Sequence, residues 1–281
     1  MSPPGRADDT EPTMTDTDRE WNAEVYDRLA DPQREWGRSV MARLELRGDE
    51  TVLDAGCGVG GLTAELLERL PHGHVIAIDA SERMADRARA RLVPRFGGHV
   101  EVRTGDLAHL ELDRAVDVVF SNAVFHHIAD HDALFAGIFR ALVPDGRLVA
   151  QCGGGPNLTL LAAHVADAVD ADPRLSELAG WPGPWNNADA TTTQRRLEAA
   201  GFVRVATWVS AAPVLISDAA RMREHLETIN LRSHLARLPD AAARAALLDA
   251  VVTRLADADP AMTLDHWRLN MAAVRPPSTT G

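Results

Sequence analysis

Short apolar runs alternate along this chain with longer segments of helical spacing, and the alternation predicts repeated strand–helix units. Val52-Leu53 reads as a buried strand that stops at Asp54 and gives way to glycines at 56, 58, 60 and 61. The amphipathic segment 62–70 follows, so the local order is strand, glycine turn, helix. Further strands are predicted at 75–79, 99–103, 116–120 and 147–152, and helices at 81–92 and 130–142. Ser81 stands where a helix N-cap belongs, and Pro144-Asp145-Gly146 reads as a turn. Repeated βα units imply a parallel sheet with helices on both faces and right-handed crossovers.

The flanks read differently. Residues 1–17 are rich in Pro, Gly, Asp and Thr without apolar periodicity, so a disordered tail is expected. Residues 18–47 read as a pair of helices placed before the first strand, with apolar positions 36, 40, 41 and 44 at helical spacing. The α/β core is expected over 48–209. Within it, Gly153-Gly154-Gly155 breaks the pattern after the fifth strand. A helix at 158–178, a rigid aromatic loop from Trp181 to Asn187, a helix at 191–200 and a strand at 202–209 then follow. Residues 210–260 are Ala- and Leu-rich and helical, divided near Pro239, and form an expected cap over the carboxyl edge of the sheet. The chain returns in an alternating strand over 264–274, within a final core segment 261–276.

Composition narrows the class. The chain has 281 residues, room for one large α/β domain with an insertion. Its net charge of -12 argues against nucleic acid and anionic membranes, both of which select basic surfaces. No apolar run approaches the roughly 20 residues of a membrane span, and no signal pattern opens the chain, so a cytoplasmic location is expected. Cys57 and Cys152 are expected to be reduced and structural, and two cysteines make no metal site.

The glycine turn has two candidate chemistries. A strand, a glycine turn and an acid about 20 residues on, here Asp79, suit a nucleotide ribose in general, including that of NAD. Dinucleotides bring a pyrophosphate to such a turn, however, and Asp54 would repel it. Gly105-Asp106-Leu107 after the third strand and Ser121-Asn122-Ala123-Val124-Phe125-His126-His127 after the fourth complete the pattern. Together these stretches resemble the class I S-adenosylmethionine (SAM)-dependent methyltransferases. The resemblance implies a Rossmann-like seven-stranded αβα sandwich, its last two strands antiparallel and the final strand inserted between its neighbours. It also implies SAM as cofactor, S-adenosylhomocysteine (SAH) as product and a small-molecule acceptor.

The same resemblance suggests roles. Gly56, Cys57, Gly58 and Gly60 would meet the methionine part, with Asp54 near its ammonium. Asp79, Ala80 and Met84 would meet the ribose and its surroundings, with Gly105, Asp106 and Leu107 bordering the adenine and Asn122 contacting SAM. Within the class, the stretches W-N-A-E-V-Y-D-R, S-N-A-V-F-H-H-I, P-W-N-N and D-H-W-R-L-N resemble the trans-aconitate methyltransferase-like group of small-molecule enzymes. Trp21, Tyr26 and Trp36 are lid candidates, and Trp185 is a candidate wall of the acceptor pocket, together with Trp181 and Trp267. His126 and His127 are candidate catalytic groups, either as bases or in positioning. For an anionic acceptor, Arg34, Arg38, Arg232 and Arg268 are the candidate partners. The expected acceptor atom is a carboxylate or hydroxyl oxygen. Carbon or nitrogen methylation, a SAM-binding protein without transfer, and an NAD-dependent oxidoreductase remain as alternatives.

Overall fold

The computed structural model describes residues 23–278. The expected disordered tail and Trp21 lie outside them. Seven strands form one sheet in the order β3-β2-β1-β4-β5-β9-β6. They are β1 (Thr51–Ala55), β2 (His74–Asp79), β3 (Val100–Thr104), β4 (Val116–Asn122), β5 (Leu142–Gly153), β6 (Val203–Ala211) and β9 (Trp267–Val274). The first five are parallel, and β9 runs antiparallel between β5 and β6. This is the Rossmann-like order the resemblance implies.

Alternation along the central strands explains the layers, because successive side chains point to opposite faces. Val52, Val75 and Val118 pack with Val40, Leu66 and Leu92 on one face. These come from α2 (Asp31–Met41), α3 (Gly61–Glu68) and α4 (Glu82–Phe96). Leu53, Ile76 and Val119 pack with Leu134, Ile138 and Leu197 on the other, the side of α5 (His131–Ala141) and α7 (Ala190–Ala199). A sheet covered on both faces needs apolar residues at consecutive positions, which is why β1 and β4 read as continuous runs.

Between β6 and β9 the chain builds the cap from α8 (Ala219–His225), a π-helical turn (Leu226–Asn230), α9 (Arg232–Arg237) and α10 (Ala241–Asp257). The break falls at Pro239, as the sequence predicts, with Asp240 capping α10 by accepting from Ala243 N. The cap has its own apolar core, which also draws on Leu158, Leu161, Leu175 and Leu178. Helix α1 (Ala23–Leu29) is tied to this cap by an ion pair from Arg28 to Glu224. It is tied to α4 by Arg91, which donates to Asp27 at 2.5 Å.

Three expectations differ in detail. The helix expected over 158–178 ends early: α6 (Thr159–Ala171) gives way to a 3-10 segment (Pro173–Leu178), where Asp172 accepts from Arg174 N ahead of helix-breaking Pro173. Pro144-Asp145-Gly146 is not a separate turn but an excursion within β5. Val116 pairs with Leu142 and Val118 with Arg147, so β5 spends three extra residues there, with Asp145 at φ 61°. The final strand is broken. Thr263–Leu264 (β8) pairs with Val214–Leu215 (β7), and β9 starts only at Trp267.

Candidate active site

The carboxyl ends of β1, β2 and β4 open onto a cavity of about 410 Å³, covered by α1, α2 and the π-helical turn of the cap. Its first wall is the glycine turn. Gly56 adopts φ +89° and donates to Ile78 O at 2.8 Å, and a Cβ there would strike Val124. Gly58, at φ +53°, donates to Asp79 Oδ2 at 2.8 Å, and a Cβ there would meet no protein atom within 4 Å. Asp79 Oδ1 accepts from Ser81 N at 2.9 Å, so this carboxylate holds the turn as well as facing the cavity. Ala80, Met84, Asp106, Leu107 and Asn122 share the lining. Asp106 Oδ1 accepts from Ala108 N at 2.9 Å, which fixes its loop.

Several expected residues lie behind that wall rather than in it. Asp54 is 2% exposed and accepts from Thr63 Oγ1 at 2.6 Å, beneath α3. Burial raises its carboxyl to about 7. Cys57 is buried in the turn, its thiol pushed well above the usual range by burial and then by Asp79. Gly105 donates to Asp79 O at 2.9 Å and so buttresses β2. Gly60, at φ +78°, turns toward Ala88 and Leu92 and lets α3 approach α4.

The opposite end of the cavity is aromatic and basic. Tyr26, Trp36 and Trp185 line it, whereas Trp267 does not and Trp181 faces a neighbouring cavity. The Tyr26 hydroxyl is pushed up to about 12 by burial and then by the Asp79 charge. Trp185 is set by its neighbours in P-W-N-N. Asn186 N donates to His126 O at 2.8 Å, and Asn187 Nδ2 donates to Asn157 O at 3.2 Å. The four candidate arginines separate. Arg34 pairs with Asp27 and Asp31, and Arg38 pairs with Glu65. Arg232 and Arg268 line the cavity.

Arg268 lies on β9 and is 3% exposed. Its Nε donates to Gln151 Oε1 at 3.3 Å, and Gln151 Nε2 donates to Asn270 Oδ1 at 2.8 Å. The guanidinium stacks 4.3 Å over Trp36. Its Nη2 is buried without a hydrogen-bond partner, and no carboxylate among the described residues forms an ion pair with it. Burial lowers its pKa to about 10, which leaves it charged at neutral pH.

His126 and His127 both line the cavity, their rings 4.2 Å apart. Gly153 N donates to His126 Nδ1 at 3.2 Å. That ties up the unprotonated nitrogen and leaves the proton on Nε2, so neutral His126 is a donor, not a base. Burial, then the charge of His127, holds its pKa well below the usual range. His127 is lowered to about 4 by burial, then by Arg232 and Arg268.

Pattern reasoning missed Gln33, Asn230 and His266 in this lining. Gln33 Oε1, Asn122 Oδ1, Asn230 Oδ1 and His266 Nε2 are buried without partners. A signal existed for one of them. His266, Arg268 and Asn270 alternate within the strand expected over 264–274, an odd polar stripe for a strand expected in the core.

Comparison with known proteins agrees with this geometry. Residues 52–146 match a methyltransferase domain family. A trans-aconitate 2-methyltransferase of Methylobacterium radiotolerans is 30% identical over 254 residues, covering 86% of this chain and 91% of that protein. Another of that name from Deinococcus radiodurans is 28% identical, covering 82% and 87%. The fold is also that of a Haemonchus contortus phosphoethanolamine N-methyltransferase 2 solved with SAM, at TM-score 0.59 and 20% identity. That match covers 93% of this chain and 57% of the other. With the sheet order, the glycine turn and a relative aligned along nine-tenths of its length, the chain belongs to the class I SAM-dependent methyltransferases, as an enzyme related to the trans-aconitate-type small-molecule group.

Proposed function

We propose that this enzyme transfers the methyl group of SAM to a carboxylate oxygen of a small organic acid held by Arg268. The residues of the cavity fit SAM. The orphaned oxygens Gln33 Oε1 and Asn122 Oδ1 are acceptors suited to an ammonium group. Asp79 and Asp106 suit ribose hydroxyls and an adenine amino group. Gly58 leaves open the space that any side chain would fill. When bound, SAM supplies an electrophilic methyl on a sulfonium whose thioether leaves as a neutral group.

The observation that carries the acceptor assignment is Arg268 Nη2, a buried cationic donor with no partner, on a residue that lines the cavity. Leaving such a group unpaired is costly unless a ligand completes it. A carboxylate does so with charge-assisted hydrogen bonds, and Gln151 and Trp36 hold the guanidinium in orientation. A carboxylate also needs no base. His126 offers none in its Nε2–H tautomer, and a His127 imidazole of pKa about 4 is too weak to take a hydroxyl proton. Tyr26, Trp36 and Trp185 line the cavity, so positioning and partial desolvation are what these residues contribute. The trans-aconitate relatives act, by name, on a carboxylate anion, which supports this reading.

The test is methyl transfer to a panel of carboxylic acids, phenols and amines, trans-aconitate included, by wild type and Arg268→Gln. Loss of a buried charge-assisted pair of about 3 kcal/mol lowers kcat/KM for the acid roughly 100-fold. SAH affinity, which Arg268 does not touch in this scheme, stays close to wild type. Turnover of phenols or amines but not acids, or an Arg268→Gln variant at full rate, would overturn the assignment.

A further inference from the structure

A second cavity, about 560 Å³, lies beside the first, between α6 and the loop of residues 179–187. Asn157, Leu158 and Trp185 line both. The partition is built under constraint. Leu158 sits in the left-handed region, at φ 59° and ψ 29°, an unfavourable place for leucine, yet is 3% exposed. Trp185 is pinned through Asn186 and Asn187, as described above. The remaining walls mix apolar side chains, including Ala166 and Val169 of α6 and Trp181 of the loop, with polar ones such as Thr159 and Asp170. Among the polar residues of the lining, His234 is buried with a ring nitrogen left unpaired. His234 of α9 is 6% exposed, packs against Trp181 at 4.9 Å and Trp185 at 5.7 Å, and its Nδ1 has no hydrogen-bond partner.

We propose that this second cavity receives the distal end of the acceptor, an alkyl or aryl carboxylic acid whose carboxylate meets Arg268 and whose far end passes Leu158 and Trp185 to reach His234. The proposal rests on the carboxylate reading above and narrows it to acids with an extended apolar body. The lining excludes a second carboxylate at that end. Asp170 stands in the wall, and an imidazole among indoles offers one neutral hydrogen bond rather than a charge. A neutral tip such as a hydroxyl or carbonyl would satisfy His234, while the shaft contributes through burial.

The experiment measures calorimetric binding to the SAH-saturated protein, and methyl transfer from SAM, for butanoic, octanoic and dodecanoic acids. Affinity should rise by about fourfold per methylene that becomes buried. Ala166→Trp fills the second cavity from an exposed face of α6, and Ala162→Phe, one turn earlier on that face, is the second variant should the first misfold. Either should lower the octanoate-to-butanoate ratio of affinities at least about tenfold. Flat length dependence, or a dependence that survives both substitutions, would overturn the second cavity as an acceptor subsite. Acids methylated without length dependence would remove this inference and keep the carboxylate reading. Acids that bind with the expected dependence but receive no methyl would overturn the carboxylate reading and, with it, the second cavity as an acceptor subsite.

Discussion

A methyl added at Gly58 would meet no protein atom within 4 Å, whereas one at Gly56 would fall 2.1 Å from Val124 Cγ2. Both glycines have positive φ, so both substitutions strain the backbone by roughly 1–2 kcal/mol. Their outcomes should still separate. Gly58→Ala should fold, with a melting temperature lowered by only about 2–4 °C, but its Cβ enters the space assigned to the methionine part of SAM. SAH affinity should fall at least about tenfold. Gly56→Ala should lose stability first, because Val124 must move. Calorimetry with SAH on both variants checks this, and wild-type affinity in Gly58→Ala would take the turn out of the site. The glycines were legible in the sequence because a strand-to-helix turn demands positive φ. Asp54, expected near the ammonium of SAM, points away from the cavity, a direction that strand alternation specifies. Asp54 shares a strand face with Val52, and that face lies under α3, where Thr63 donates to it.

At the scale of elements, α6 begins without a side-chain cap of its own, since Leu158 occupies the N-cap position. The cap comes from more than 100 residues away. Asp265 Oδ2 accepts from Leu160 N at 2.8 Å and Oδ1 from Leu161 N at 3.4 Å, while Asp265 O accepts from Leu158 N at 3.1 Å. This use of Asp265 is what breaks the strand expected over 264–274, because a residue bound to a helix end cannot also sit in the ladder. Periodicity reports a residue's face within its own element and carries no information about such a long-range cap. The same break positions His266 and Arg268 at the cavity. Asp265→Ala should therefore cost roughly 1–2 kcal/mol of stability. It should raise KM for the acid more than it weakens SAH binding, since the glycine turn does not touch Asp265. Thermal unfolding and separate SAH and acid titrations test this; equal losses for both ligands would deny the link between the α6 cap and the acceptor end.

Across the whole molecule, an unusual number of imidazoles are kept neutral by burial, and this sets how the protein responds to acid. His127, His225 and His234 are lowered to about 4, and His266 to about 3, with burial the leading cause in each. In the unfolded chain each takes up a proton near pH 6.5. Between those values the unfolded state binds more protons, so stability rises with pH through the window and is lost as pH falls below about 6.5. At pH 5 each such group costs roughly 2 kcal/mol. Asp54 works in the opposite sense. Raised to about 7, it keeps its proton when folded and sheds it when unfolded, so acidification from pH 7 favours folding at that one carboxyl. Its contribution offsets about one histidine. The lowered carboxyls of Asp27 and Glu50 begin to matter only near pH 4. The balance predicts a melting temperature that falls on the order of 10 °C from pH 7 to pH 5. Replacing His225, which lies outside the cavity lining, by Gln should flatten that slope. Scanning calorimetry at the two pH values decides the matter: a melting temperature that holds or rises on acidification would mean that these imidazoles are solvated, and with them the acceptor end of the cavity.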